Sequence, residues 1–122
     1  MTMRGIRGAI TVTADQPELV LTATREMLEA ILRSNPGLKT EDIASALFTT
    51  TDDLVSVHPA LAARQMGWEH VPMMCAREIP VPGSLPRCIR VLVQWNTERA
   101  QTAIKHVYLR EAISLRPDLV VI

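Results

Sequence analysis

Residues 4–12 alternate: Ile6, Gly8, Ile10 and Val12 share one face, and Gly5, Arg7, Ala9 and Thr11 share the other. A period of two with β-branched residues predicts a strand. Arg7 then projects from a face whose neighbours are tiny. The glycines either leave room for something to lie on that face or mark a close backbone approach, and the two readings are compatible. Asp15, Pro17 and Glu18 make a helix start. Val20, Ala23, Thr24, Met27, Leu28 and Ile31 fall on one helical face, and Ser34-Asn35-Pro36-Gly37 ends the helix.

Further along, residues 40–42 predict a single helical turn and residues 44–51 a second strand, ended by Asp52 and Asp53. Residues 59–66 predict a short helix closed by Gly67, and residues 71–76 a third strand. Val81-Pro82-Gly83-Ser84 has proline and glycine where a type II turn needs them. Residues 88–96 form the clearest strand. Ile89, Val91, Val93 and Trp95 make its apolar face; Cys88, Arg90, Leu92, Gln94 and Asn96 make its more polar one. Arg90 sits mid-strand and is expected to be firmly held and partly buried. Residues 96–100 read as a loop, 104–107 as a last short strand and 108–115 as a short helix. The order β-α-β-α-β-β-β-α predicts an α+β (α/β-like) fold, a single domain over residues 1–122 with one mixed β-sheet packed by helices.

The composition is that of an ordinary globular domain, 48% apolar and 21% charged. A formal net charge of zero argues against a nucleic-acid surface. No apolar run is long enough to span a bilayer, and the N-terminus lacks the apolar core of a signal peptide. Two cysteines without a CxxC pattern are expected to be free thiols in a reducing cytoplasm. The basic residues are lopsided, with Lys39 and Lys105 the only lysines beside eleven arginines. Arginine binds carboxylate and phosphate by a planar fork that lysine lacks, although coding bias alone could also favour it.

Candidate chemistry gathers in residues 75–90, CAREIPVPGSLPRCIR, which hold both cysteines, Glu78, Arg77, Arg87 and Arg90. The Pro-Gly turn can bring Glu78 and Arg90 back to one place, as an ion pair or as a site for an anion. Several other chemistries do not fit. Ser84 lies in a turn without the G-x-S-x-G context of a hydrolase. His58, His70 and His106 lack metal-ligand spacing with each other or with the cysteines. The Asp52-Asp53 pair has no third ligand nearby and reads as a turn or cap. There is no GxGxxG and no P-loop. Cys75 has no base close in sequence. Arginine is a poor acid or base but stabilises developing negative charge. These residues suit a small polyanionic substrate whose reaction needs positioning and electrostatics.

Four blocks then carry a specific resemblance: RGIRGA at 4–9, CAREIPVPGSLPRCIRV at 75–91, KHVYL at 105–109 and LRPDL at 115–119. Along nearly its full length the chain resembles the AroH-class chorismate mutases, which rearrange chorismate to prephenate. The resemblance implies a homotrimeric pseudo-α/β-barrel with sites between subunits, chorismate as the small-molecule substrate, and no cofactor, metal, nucleic acid or membrane partner. Arg90 would bind a carboxylate and face the breaking ether oxygen, and Glu78 would accept the ring hydroxyl. Arg7 and Tyr108 would hold the side-chain carboxylate. Met74, Cys75, Ala76 and Arg77 would line the pocket, with Leu115 beside it. Arg64 and Arg116 would lie near its entrance, with the C-terminal segment as a partial cover.

Two features depart from the family pattern. His58 stands where phenylalanine is common, and the tail stops at Val120-Val121-Ile122. A further expectation follows from alternation. Cys75 and Glu78 would face opposite ways on a straight strand, so sharing one pocket requires a break between them, with Pro80 as its cause. The Pro-Gly turn would then hold Glu78 and Arg90 about one substrate apart. The alternatives are an imine or enamine deaminase of the Rid type, which also holds a carboxylate with an intersubunit arginine, and a non-catalytic binder of small acids.

Overall fold

Burial follows the period-two pattern of the first strand up to Gly8 in the computed structural model, which describes residues 2–116; beyond it Ala9 and Thr11 are buried as well. Strand β1 (Met3–Thr11) buries Ile6, Gly8 and Ile10 and leaves Gly5 and Arg7 exposed. Helix α1 (Pro17–Ser34) has proline in its first turn, where the missing N–H costs nothing. It buries the predicted stripe of Val20, Ala23, Thr24, Met27, Leu28 and Ile31. Each fully buried aliphatic side chain of this stripe contributes about 1.5–3 kcal/mol. The helix lies against the core face of β1, and Gly8 is what lets it come close. A Cβ there would sit 2.9 Å from Ile31 Cδ1 and 3.1 Å from Met27 Cγ and Val91 Cγ1.

After a 3-10 turn at Thr40–Asp42 come β2 (Ile43–Thr50), α2 (Ala60–Gln65), β3 (Met73–Arg77) and β4 (Cys88–Asn96). A second 3-10 turn at Gln101–Ala103 leads to β5 (Val107–Tyr108) and a third at Arg110–Leu115. The sheet order is β3-β2-β4-β1-β5. β4 runs antiparallel to both neighbours, while β2–β3 and β1–β5 are parallel. The expected mixed sheet is therefore present. Its core face carries Ile6, Ile10, Phe48, Ile89, Val91, Val93 and Trp95, all buried. α1 and α2 pack on that side and on each other. Among the described residues no α-helix lies over the opposite face; one end of it is covered by the turn Arg110–Leu115, whose Ala112 is buried with Ala9, Cys88 and Tyr108.

The largest departure from the expected elements lies after residue 100. The last strand is Val107–Tyr108, not residues 104–107, so Tyr108 is a strand residue instead of a helix start. Its cause is Asn35, buried at the end of α1. Its amide accepts the Lys105 N–H at 2.9 Å and donates to the Lys105 and Ile31 carbonyls at 3.0 and 2.9 Å. The Lys105 backbone is thus satisfied by a side chain, and pairing with β1 begins two residues later. The final helix is a 3-10 turn begun at Arg110, where φ is 56°. The Arg110 guanidinium donates to Thr11 O and to Glu26, at 3.0 and 2.9 Å. The covering segment anticipated beyond Arg116 lies outside the described residues.

Filling the Gly8 contact tests how tightly α1 rests on β1. Gly8→Val is expected to lower the free energy of unfolding by roughly 1–3 kcal/mol, as overpacked cores do. Chemical denaturation of the two proteins measures it; an unchanged midpoint would show that α1 does not rest on this backbone.

Candidate active site

The antiparallel register of β1 and β4 places the two central arginines. Ala9 pairs with Arg90 and Arg7 with Leu92. Arg7 and Arg90 are therefore diagonal neighbours on the uncovered face, with backbones about 7–8 Å apart. On the other side of Arg90 the ladder partner is Thr49 of β2. Both flanking residues are small, so the guanidinium stands over a shallow floor. Arg90 is more exposed than its mid-strand position suggested, at 44% of its side chain.

Glu78 reaches the same face from the end of the edge strand. Its N–H bonds Thr50 O at 3.0 Å, extending the β2–β3 ladder one residue past Arg77. The Thr49 hydroxyl donates to its carboxylate, and its Oε2 lies 3.8 Å from Arg90 Nε. Glu78 and Arg90 thus form an ion pair and are not held a substrate's width apart. At 3.8 Å this is not a hydrogen bond. Partly exposed pairs of this kind contribute about 0.2–1 kcal/mol, so an incoming carboxylate on the arginine fork can displace it.

A cavity of about 460 Å³ brings together Arg7, Glu78, Arg90, Tyr108, Leu115 and Arg116, with Leu47, Thr49 and Leu92 as further walls. Three guanidiniums face one carboxylate. Tyr108 is buried, and its strand is tied to β1 by the Leu109 N–H on Ala9 O at 3.0 Å. The loop after Glu78 makes the predicted turn: Ser84 N–H bonds Val81 O at 3.0 Å, and Gly83 has φ 85°. It returns through Arg87, whose φ of 48° costs a non-glycine residue about 1–3 kcal/mol. Asp53 holds that residue by accepting its N–H at 2.9 Å, and Arg87 Nε donates to Val12 O at 3.1 Å. Asp53 is thus part of a turn, as its position after β2 suggested.

The remaining predicted residues lie elsewhere. The expected break between Cys75 and Glu78 does not occur, because the β2–β3 register runs unbroken from Met73 to Arg77. Alternation therefore separates them. Cys75 lines a hollow with His58, Arg64 and Met74, and an adjoining one with Ala76 and Arg77. Arg77 is a clamp in this chain, donating to Thr50 Oγ1, Thr51 O and Leu54 O at 3.2, 2.9 and 2.7 Å. Sequence reasoning missed Thr49, Leu47 and Leu92 in the first cavity, since none of them is distinguished without the strand register. It also missed His106, which accepts the Arg7 N–H on Nδ1 at 3.0 Å.

Together these features describe a small α+β protein whose uncovered sheet face carries an arginine-lined cleft suited to a compact anion. The model of the family described as chorismate mutase type I matches residues 3–119. The chain is 57% identical over 117 residues to chorismate mutase AroH of Thermus thermophilus, covering 96% of each chain. It is 45% identical over 120 residues to chorismate mutase AroH of Bacillus subtilis (strain 168), covering 98% of this chain and 94% of that one. A solved chorismate mutase from Clostridium thermocellum superposes with a TM-score of 0.88 at 44% identity, over 90% of this chain and 97% of that chain. The chain belongs to the type I chorismate mutase family. The deaminase alternative gains nothing from these matches.

Cys88 begins β4 beside the cleft and is buried. Burial pushes its thiol pKa up, against a smaller opposing pull from Arg90. Cys88 is therefore expected to stay unmodified when the native protein is treated with iodoacetamide at about pH 8 and to react fully once unfolded. Mass mapping of the labelled peptides measures this; labelling of native Cys88 at the unfolded rate would contradict its burial.

Proposed function

We propose that the cleft of Arg7, Glu78, Arg90 and Tyr108 carries the Claisen rearrangement of chorismate to prephenate, a step of aromatic amino-acid biosynthesis. The observation that carries this reading is the diagonal placement of Arg7 and Arg90 on one sheet face, with the Glu78 carboxylate reaching across Thr49 of β2 to Arg90 of β4, in a chain of this family. Chorismate has two carboxylates, a ring hydroxyl and an ether oxygen. In the reaction the ether C–O bond breaks as a new C–C bond forms, and negative charge grows on that oxygen. Arg90 holds a carboxylate and faces the ether oxygen, so its charge favours the transition state over the ground state. Glu78, steadied by Thr49, accepts the ring hydroxyl. Arg7 and Tyr108 hold the side-chain carboxylate. Leu47, Leu92 and Leu115 supply apolar walls that keep the substrate in its compact reactive shape. The rearrangement moves no proton, so nothing in the cleft has to act as acid or base.

We further propose that the chain is a homotrimer of pseudo-α/β-barrel form with its sites at subunit boundaries. The division of the predicted residues supports this. One group lines the uncovered sheet face, while His58, Arg64, Met74 and Cys75 line a separate hollow along the edge strand. A neighbouring copy can bring the second group against the first. Met74 and Ile79, 71% and 80% exposed, flank the edge with Val81 and give such a boundary its apolar contact. No described helix is long and apolar enough to cross a membrane. The two free thiols suit a cytoplasmic location.

Purified protein is expected to convert chorismate to prephenate with no added metal or cofactor; a rate equal to the uncatalysed one in the intact oligomer would sink the reading. Arg90→Lys keeps the charge and loses the fork. Its kcat should fall about 10²–10³-fold, the 2.7–4 kcal/mol of a lost oxyanion donor, and near-normal turnover would remove Arg90 from the electrostatic centre. Subunit sharing has its own measurement. Arg90→Ala and Arg64→Ala chains, each weakly active alone, are refolded together. Activity above the sum of the two shows sites completed by two copies, and its absence argues that each site is built from one chain.

A further inference from the structure

β5 is two residues long, and what extends it is a side chain. Ala9 O accepts the Leu109 N–H, so the backbone groups of Ala9 face β5. Arg7 lies two residues back on the same strand, and its amide faces the same edge. There the β1–β5 ladder has not yet begun, because its first pair is Gly8 with Val107. His106 fills the gap, accepting the Arg7 N–H on Nδ1 at 3.0 Å. An imidazole can accept at Nδ1 only when that nitrogen is unprotonated, which places the proton of the neutral ring on Nε2. The backbone just before His106 is anchored. Asn35, uncharged and at the end of α1, grips the backbone of Lys105 on both its N–H and C=O.

We propose that neutral His106 is a positioning residue: by accepting the Arg7 amide it fixes the stretch of β1 that aims the Arg7 guanidinium into the cleft, and protonation of its ring releases that stretch. The proposal rests on the reading that Arg7 holds a substrate carboxylate. Protonation would set an N–H against the Arg7 N–H, turning an acceptor into a clash of donors. It would also add a cation beside two others. The charged groups that face the ring are Arg7 from β1 and Arg116 from the end of the last 3-10 turn. Burial first, and then these two arginines, hold the ring's pKa below its ordinary value of 6.5. The neutral ring is therefore the form the fold favours. Its contribution is present in full above pH 6.5 and is lost as the pH falls through the lowered value.

Two effects of protonation oppose each other. The new charge attracts a dianion, while loss of the bond lets Arg7 drift. His106 is partly exposed, so its charge is screened. A misplacement of about 1 Å in a positioning group can cost about 10²-fold in rate. The lost bond should win, and kcat/KM should fall on the acid side.

The experiment measures kcat and KM for chorismate from about pH 5 to pH 8, in a His58→Phe background so that no second imidazole of the proposed site titrates. With His106 present, kcat/KM is expected to decline below pH 6.5, chiefly through KM. His106→Leu removes the acceptor and should raise KM about 10-fold to 100-fold at neutral pH. His106→Asn puts a non-titrating oxygen near the Nδ1 position and should recover most of that loss with no acid decline. An acid decline that persists in His106→Asn overturns the proposal, as does a folded His106→Leu with normal KM. Should His106→Leu fail to fold, nitrogen NMR of the parent protein decides: the Nε2–H tautomer at neutral pH supports the proposal and the Nδ1–H tautomer overturns it. Arg7→Ala separates the two levels. A normal KM there fails the reading of the cleft itself, whereas a raised KM with unaffected His106 variants fails the positioning role alone.

Discussion

The pairing of β1 with β4 is the constraint on which the rest of the structure depends. In that register Ala9 meets Arg90 and Arg7 meets Leu92, so both arginines stand on the same side. Strand side chains alternate with a period of two, and a slip of one residue would exchange the faces. If β1 slipped, Arg7 would enter the core and Ile6 and Ile10 would leave it, while Arg90 stayed on the other face. Burying one unpaired guanidinium and exposing those aliphatic side chains together costs more than the stability of a domain this size. The core thus enforces the register, and the register places the arginines of the cleft. Gly8 belongs to the same constraint from the other side, since α1 can cover the core face only where β1 carries no Cβ in its way.

The outer strands are held more indirectly. β5 has two residues and depends on side chains at both ends: Asn35 grips Lys105 before it, and Arg110 ties the turn after it to Thr11 and Glu26. This brings Tyr108, Leu115 and Arg116 to the cleft through bonds between residues 70 to 100 positions apart. At the opposite edge, β3 remains regular through Arg77, and that regularity divides the predicted residues between two hollows. The proposed sharing between copies is what would let a straight strand and both groups serve one reaction. A bulge placing Cys75 and Glu78 together would have exposed more unpaired backbone at an edge already open to solvent.

Local patterns determined much of this protein without any structure. Alternation in residues 4–12 and 88–96, the stripe of α1, and the proline and glycine of the Val81–Ser84 turn all act within a few residues, so they are legible in order along the chain. The blocks around Arg7, Glu78, Arg90 and Tyr108 identified the family for the same reason. The tertiary structure alone decided which strands are neighbours, which sheet face is left uncovered, and what each side chain meets there. Glu78 shows no fixed partner until Thr49 and Arg90 are known to adjoin it. Arg77 has no visible partner until its acceptors are found on the Thr50–Leu54 turn. His106 shows no role until its ring meets the Arg7 amide 99 residues away. Periodicity reports how a segment faces itself; partners across a sheet are set by packing the whole chain at once, and no local stretch encodes them.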